Sequence, residues 1–111
     1  MASDIQRTPP LPPATLHILL ALSSSDLHGY GIMQEVLRQT EGSYKLGPGT
    51  LYDNLQRLLD QGLVTELAGG EDSRRRVYRL NPSGRAALSH EITRLDAVVR
   101  TGKLNLQTGG A

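Results

Sequence analysis

Three consecutive arginines, Arg74-Arg75-Arg76, put three guanidinium groups on one short stretch of chain, a density suited to gripping phosphate oxygens or entering a narrow DNA minor groove. Alone, such a run is as readily a solvated basic edge that keeps strands from aggregating. A second group precedes it. Leu51, Leu55, Leu58 and Leu59 recur with helical period, and Gln56 and Arg57 fall on the opposite face with Thr50 and Tyr52 flanking near its start. A threonine hydroxyl beside the free backbone N–H groups of a helix start suits a phosphate oxygen. Glutamine matches the edge of adenine, and arginine that of guanine or a phosphate. With Lys45 included, the candidate DNA-binding set is Lys45, Thr50, Tyr52, Gln56, Arg57, Arg74, Arg75 and Arg76. Asp53, on the same face, is expected to complement the helix dipole rather than meet a phosphate.

Two other groups suggest chemistry that simpler readings absorb. Ser23-Ser24-Ser25, Asp26 and His28 superficially supply hydrolytic residues, but at a break between apolar segments they read as a cap and turn. No enzyme is expected. His17, His28 and His90 lack a compact ligand spacing, and the chain has no cysteine, so neither a metal site nor a cofactor is expected. His28 is placed to start a helix, and His17 and His90 are the only pair worth testing.

These residues must be positioned by elements, and the chain's 111 residues suit one small domain that would gain from a partner chain. The absence of cysteine suits a reducing cytoplasm. The longest apolar run, Ile18–Leu22, is far below the roughly 20 residues that span a bilayer. With no signal peptide visible at the start, a cytoplasmic protein that does not engage a membrane is expected. The 12 Lys+Arg against 11 Asp+Glu leave a net charge of +1. That sum conceals two unequal parts: residues 1–73 hold four basic and nine acidic residues, a balance of −5, and residues 74–103 hold eight and two, a balance of +6.

Pro9, Pro10, Pro12 and Pro13 make residues 1–13 a flexible, extended arm that ends where a helix can open. Ala14–Ser24 is apolar nearly all round, a helix buried on more than one side. Gly29–Gln39 carries one apolar stripe, Ser43–Leu46 is a candidate short strand, and the helix after Gly47-Pro48-Gly49 stops at Gly62. Leu63–Ala68 and Arg75–Leu80 read as a hairpin around Gly69–Ser73. Asn81-Pro82 supplies an N-cap and first-turn proline for a last helix to about residue 103, with Leu88, Ile92, Leu95 and Val99 spaced 4, 3 and 4 apart. Residues 104–111 are uncharged and Gly-rich, an expected disordered tail.

The expected fold is therefore mainly α with a small β-hairpin: a winged helix-turn-helix over 14–81 plus a C-terminal dimerisation helix over 82–103. The seam of the last helix exceeds what so small a domain can cover, so a homodimer is expected, with Leu16, Leu19, Leu20, Leu88, Ile92, Leu95 and Val99 at the interface. A small-molecule effector would lodge there, between first and last helices, although without Trp or Phe a flat stacking pocket is not expected.

The motifs His28-Gly29-Tyr30-Gly31-Ile32, Gly49-Thr50-Leu51-Tyr52, Leu55-Gln56-Arg57-Leu58, Gly62-Leu63-Val64, Arg76-Val77-Tyr78-Arg79-Leu80-Asn81 and Gly84-Arg85 together resemble the PadR-type transcriptional regulators over about residues 14–100. The resemblance implies a homodimeric, ligand-responsive repressor of the short subfamily, with a single helix after the wing. It aligns Tyr52 with the family tyrosine near the DNA backbone and puts Thr50 and Arg57 on the recognition helix. The chain has Asp53 where many relatives carry proline. The expected partners are double-stranded DNA, as an inverted-repeat operator, and a second copy of the chain. The competing reading is a winged helix used only for protein contact.

Overall fold

The computed structural model describes residues 9–67 and 76–109, with side chains to 107. Helix α1, Pro13–Ser24, opens as the double proline predicts, and the Leu16 N–H donates to the Pro12 carbonyl at 2.9 Å. Strand β1, Leu27–His28, leads into α2, Gly29–Gln39, where His28 Nδ1 accepts the Gly31 N–H at 3.0 Å. His28 thus caps the helix, as its position suggested. The end of α2 is closed by the Gly42 N–H on the Leu37 carbonyl at 2.8 Å, with Glu41 at φ 52° and Gly42 at φ 80°. Ser43–Leu46 is not a strand. Thr40 Oγ1 takes the Tyr44 N–H at 3.1 Å, and Leu46 turns into the core.

Helix α3, Pro48–Asp60, has Pro48 in its first turn. It ends where Gly62, at φ 74°, lets the Leu63 N–H return to the Leu58 carbonyl at 2.9 Å and its own N–H reach Leu59 at 3.1 Å. Strands β2, Val64–Leu67, and β3, Val77–Leu80, pair antiparallel, and β1 adds to the far edge of β3, giving the order β1-β3-β2. The expected hairpin is therefore part of a three-stranded sheet. Tyr78 and Leu80 face the core from its central strand, where Ile18, Leu19, Ile32, Val36, Leu51, Leu55 and Leu58 are fully buried. The expected Gly69–Ser73 loop, together with Arg74 and Arg75, lies outside the described residues.

Helix α4, Pro82–Gly109, has 28 residues and is about 42 Å long at 1.5 Å per residue. It does not stop near residue 103. The expectation of a disordered stretch from Leu104 is corrected over 104–109, because these residues keep helical backbone and the glycines fall only at the last positions. The start of α4 is held against the turn after α3: the Asn81 side-chain amide and the Ser83 hydroxyl both donate to the Gly62 carbonyl, at 3.0 and 2.8 Å. Asn81 Oδ1 accepts the Thr65 hydroxyl, so its side chain braces the wing rather than serving only as a cap. No helix among the described residues is long and apolar enough to cross a membrane.

Candidate nucleic-acid interface

The outward side of α3 divides into a centre and two flanks. At 100° per residue, Asp53 and Asp60 lie opposite Leu51, Tyr52 and Gln56 turn toward the sheet, and Thr50 and Arg57 turn toward the start of the chain. Tyr52 stands half exposed beside a groove of about 370 Å³ that Gln56, Glu66, Arg76 and Tyr78 also line. The sheet burying Tyr78 raises its phenol pKa, and the Glu66 charge adds to the effect.

Glycine makes room for Tyr52. A Cβ on Gly29 would lie 2.3 Å from the Tyr52 hydroxyl oxygen and 2.9 Å from the ring carbon bearing it, so the first residue of α2 must lack a side chain for this ring position. Tyr30, next to it, is 62% exposed and is not packed between the first helices. On the other flank, buried Asn54 ties the helix inward. Asn54 Oδ1 accepts the Thr15 hydroxyl at 2.8 Å and Arg57 Nη2 at 3.0 Å, while its amide donates to the Thr50 carbonyl at 2.7 Å. Gln56 Nε2 donates to Asp60 Oδ1 at 3.0 Å.

Sequence reasoning missed Asn54 and Glu66. Asn54 was visible as a polar residue three positions after Leu51 on the inward stripe. Glu66 sits diagonally across from Arg76, and the pair is closed at 2.8 Å. Arg76 therefore has a carboxylate partner while its side chain stays half exposed. The described part of the interface carries three cations, Lys45, Arg57 and Arg76, and three carboxylates, Asp53, Asp60 and Glu66. Its charge cancels, and residues 68–75, which lie outside the described residues, add Arg74 and Arg75 against Glu71 and Asp72.

The basic later segment is also spent largely within the fold. Arg79 pairs with Asp26 at 2.8 Å, Arg94 with Glu91 at 2.8 Å and Arg100 with Asp96 at 3.1 Å. The serine–histidine cluster is likewise committed to local structure. Ser23 and Ser24 donate to the carbonyls of Leu20 and Ala21, Asp26 holds Arg79 and His28 caps α2. His17 stacks on Tyr44 with centroids 4.8 Å apart, and no group of acidic or histidine side chains suited to a metal ion occurs among the described residues.

Two of the expected interface residues belong to the single-chain core. Leu19 is fully buried and Leu88 is 6% exposed, because α1 packs against α2, α3, α4 and β3 at once. Leu16 and Leu20 pack partly against that core, Leu95 is partly buried, and Ile92 and Val99 remain exposed. The uncovered stripe continues past Val99 to Gly102 and the exposed Leu106 at the same 3 and 4 spacing.

Residues 18–90 match the family described as Transcriptional regulator PadR-like family. The chain is 41% identical over 86 residues to Transcriptional regulator Rv3488 of Mycobacterium tuberculosis, covering 77% of this chain and 78% of that relative. Among solved structures, a transcriptional regulator from Clostridium thermocellum superposes with a TM-score of 0.71 at 26% identity, over 82% of this chain and 89% of that one. Bacillus subtilis PadR, solved in complex with operator DNA, shares the fold with a TM-score of 0.61 at 24% identity, over 72% of this chain and 46% of its own.

Proposed function

The chain belongs to the PadR-like family of transcriptional regulators, which are not enzymes, and on that premise we propose that it acts in the cytoplasm as a ligand-responsive repressor, binding an inverted-repeat operator as a homodimer. The observation that carries this reading is the outward face of α3, where Tyr52 and Gln56 line a groove leading to the wing and Thr50 and Arg57 stand on the opposite flank. Thr50 occupies the third position of the helix, where the N–H groups of Gly49 and Thr50 point along the axis without an intrahelical acceptor, and this suits a phosphate oxygen. Gln56 and Arg57 supply base-edge or phosphate contacts, and Lys45 adds a cation ahead of the helix.

Dimerisation completes the site, because one α3 reads one half-site. The exposed Ile92 and Val99, with Leu95 between them, form a stripe that a partner's first and last helices would cover, Leu16 and Leu20 contributing from α1. In this arrangement residues 14–81 form the winged-helix domain, α4 the dimerisation element, and an effector sits between α1 and α4 of the two copies. The electrostatic balance makes a specific demand. With the described interface neutral, and with Glu71 and Asp72 balancing Arg74 and Arg75 in net charge, direct phosphate contacts by Arg74 and Arg75 supply the counterion release that drives DNA association.

Fluorescence anisotropy of a labelled operator duplex, titrated over a range of salt, tests this reading. Affinity is expected to fall steeply with salt. The Arg74→Ala/Arg75→Ala double variant should bind more weakly, with a slope shallower by about two. Salt-insensitive or absent DNA affinity, with binding to a protein partner instead, would favour a winged helix used only for protein contact.

A further inference from the structure

The inward stripe of α3 is leucine at 51, 55 and 58, yet asparagine occupies position 54 and is buried with them. An amide in that place costs stability unless its polar atoms are all used. Asn54 spends them on three partners. Its Nδ2 donates to the Thr50 carbonyl at 2.7 Å, which fixes the orientation of the amide and leaves Oδ1 to accept the Thr15 hydroxyl at 2.8 Å and Arg57 Nη2 at 3.0 Å. We infer that Asn54 is a positioning residue for DNA binding: it holds the Arg57 guanidinium where an operator phosphate meets it, and so helps set how α3 sits in the groove.

Three features make this more than a local contact on one helix. The first is charge. Arg76 and Arg79 are held by carboxylates, whereas Arg57 is held by an uncharged amide, which restrains the guanidinium without cancelling its charge. Asn54 takes one of five N–H donors, and the other four keep the fork that meets a phosphate side on. The second is the frame of reference. Thr15 belongs to α1, which packs against α2, α3, α4 and β3, so the Thr15–Asn54 bond fixes the amide to the core as well as to its own helix. The third is place. Arg57 is exposed in the last turn of α3 on the flank beside Thr50, whereas base edges are reached from the first turns of a recognition helix. A phosphate is the partner that suits this place, and phosphate contacts fix register and orientation.

A free arginine side chain must be ordered when it binds, and Asn54 removes part of that cost in advance. Losing Asn54 therefore weakens binding without changing the number of cations that meet DNA. The operator role rests on the DNA-binding reading, whereas the restraint on Arg57 is a property of the free protein.

The test compares the full-length native chain with Asn54→Leu, which fills the same space without polar atoms, and with Asn54→Ser, whose short hydroxyl can still donate to the Thr50 carbonyl. Thermal melts establish that each variant folds. In the ¹⁵N-labelled proteins free of DNA, relaxation at Arg57 Nε is expected to report a restricted side chain in the native chain and a mobile one in both variants. On a duplex that the native chain enriches from a random pool, each variant should bind roughly three- to tenfold more weakly with an unchanged salt slope. Arg57→Ala should weaken binding by at least about tenfold and make the slope shallower by about one. Adding Asn54→Leu to Arg57→Ala should weaken it no further, since a positioning residue has nothing left to position. Equal Arg57 mobility in the native chain and the variants, full affinity in both Asn54 variants, or losses that add in the double variant would overturn the role of Asn54 while leaving the DNA-binding reading in place. Failure of the native chain to bind any duplex would overturn that reading, and the operator role of Asn54 with it, even where relaxation shows Arg57 to be held.

Discussion

At the scale of single residues, the two flanks of α3 depend on two residues, Gly29 and Glu91, that have no proposed contact role of their own. Gly29 leaves space for the Tyr52 ring, and a Cβ 2.3 Å from its hydroxyl forces that ring to move. Alanine is otherwise welcome in the first turn of a helix, where it removes unfolded-state freedom. Gly29→Ala is therefore expected to preserve or slightly raise the melting temperature while weakening operator binding by roughly tenfold, the loss of about one good hydrogen bond. Parallel thermal melts and anisotropy titrations separate the two effects. Glu91 supports the other flank through Leu11. The Arg94 guanidinium holds its carboxyl below the ordinary carboxylate range, against the opposing effect of burial and with help from the Leu11 N–H. A depressed folded-state pKa means that its contribution is complete above the unfolded-state value, about 4.3, and is lost as pH falls through the lower folded value. Melting temperature should thus drop on acidification below about pH 4, and more steeply in the native chain than in Glu91→Gln. Equal slopes in the two proteins would remove Glu91 from this role.

At the scale of elements, the helices were legible because each carries its own punctuation. Pro13 and Pro48 open two of them, His28 caps a third, and Gly42 and Gly62 close turns with positive φ. The apolar stripe of α3 placed its outward face without knowledge of the fold. What stayed hidden was set by distant parts of the chain. Two-residue β1 has no period to detect, and it is a strand only because Leu27 and His28 pair with Tyr78 and Val77 of β3. The extension of α4 was obscured by an uncharged sequence, although Leu106 continues the 3 and 4 spacing from Ile92. The neutralisation of Arg76 by Glu66 likewise depends on strand register. One junction between elements makes a strong demand on sequence. A Cβ on Gly84 would lie 2.2 Å from the Leu63 carbonyl oxygen and 2.7 Å from Leu80, so α4 can seat against the end of α3 only with glycine there. Gly84→Ala should cost about 1–3 kcal/mol, as overpacking against backbone does. Chemical denaturation measures this as a lower midpoint at unchanged slope, and an unchanged midpoint would mean that the junction is looser than its geometry indicates.

At the scale of the whole molecule, a wing and α3 sit on one compact domain while most of α4 extends beyond it, its apolar stripe exposed at Ile92 and Val99 and partly buried at Leu95. The near-neutral total charge is repeated across the α3 face and the wing base, where acidic and basic groups are matched, whereas α4 carries Arg85, Arg94, Arg100 and Lys103 against Glu91 and Asp96. Such a molecule cannot hold DNA by a broad basic surface. On the proposed reading its affinity comes from shape, a few base-edge contacts, Arg74 and Arg75, and the doubling of all three in a dimer. Two copies joined through α1 and α4 would bring their α3 helices to successive major grooves, about 34 Å apart. Selection of bound duplexes from a random DNA pool by the full-length protein tests this claim most directly. The account predicts enrichment of an inverted repeat whose half-site centres lie about one helical turn apart. Recovery of an unpaired half-site, or of no enriched sequence at all, would contradict it.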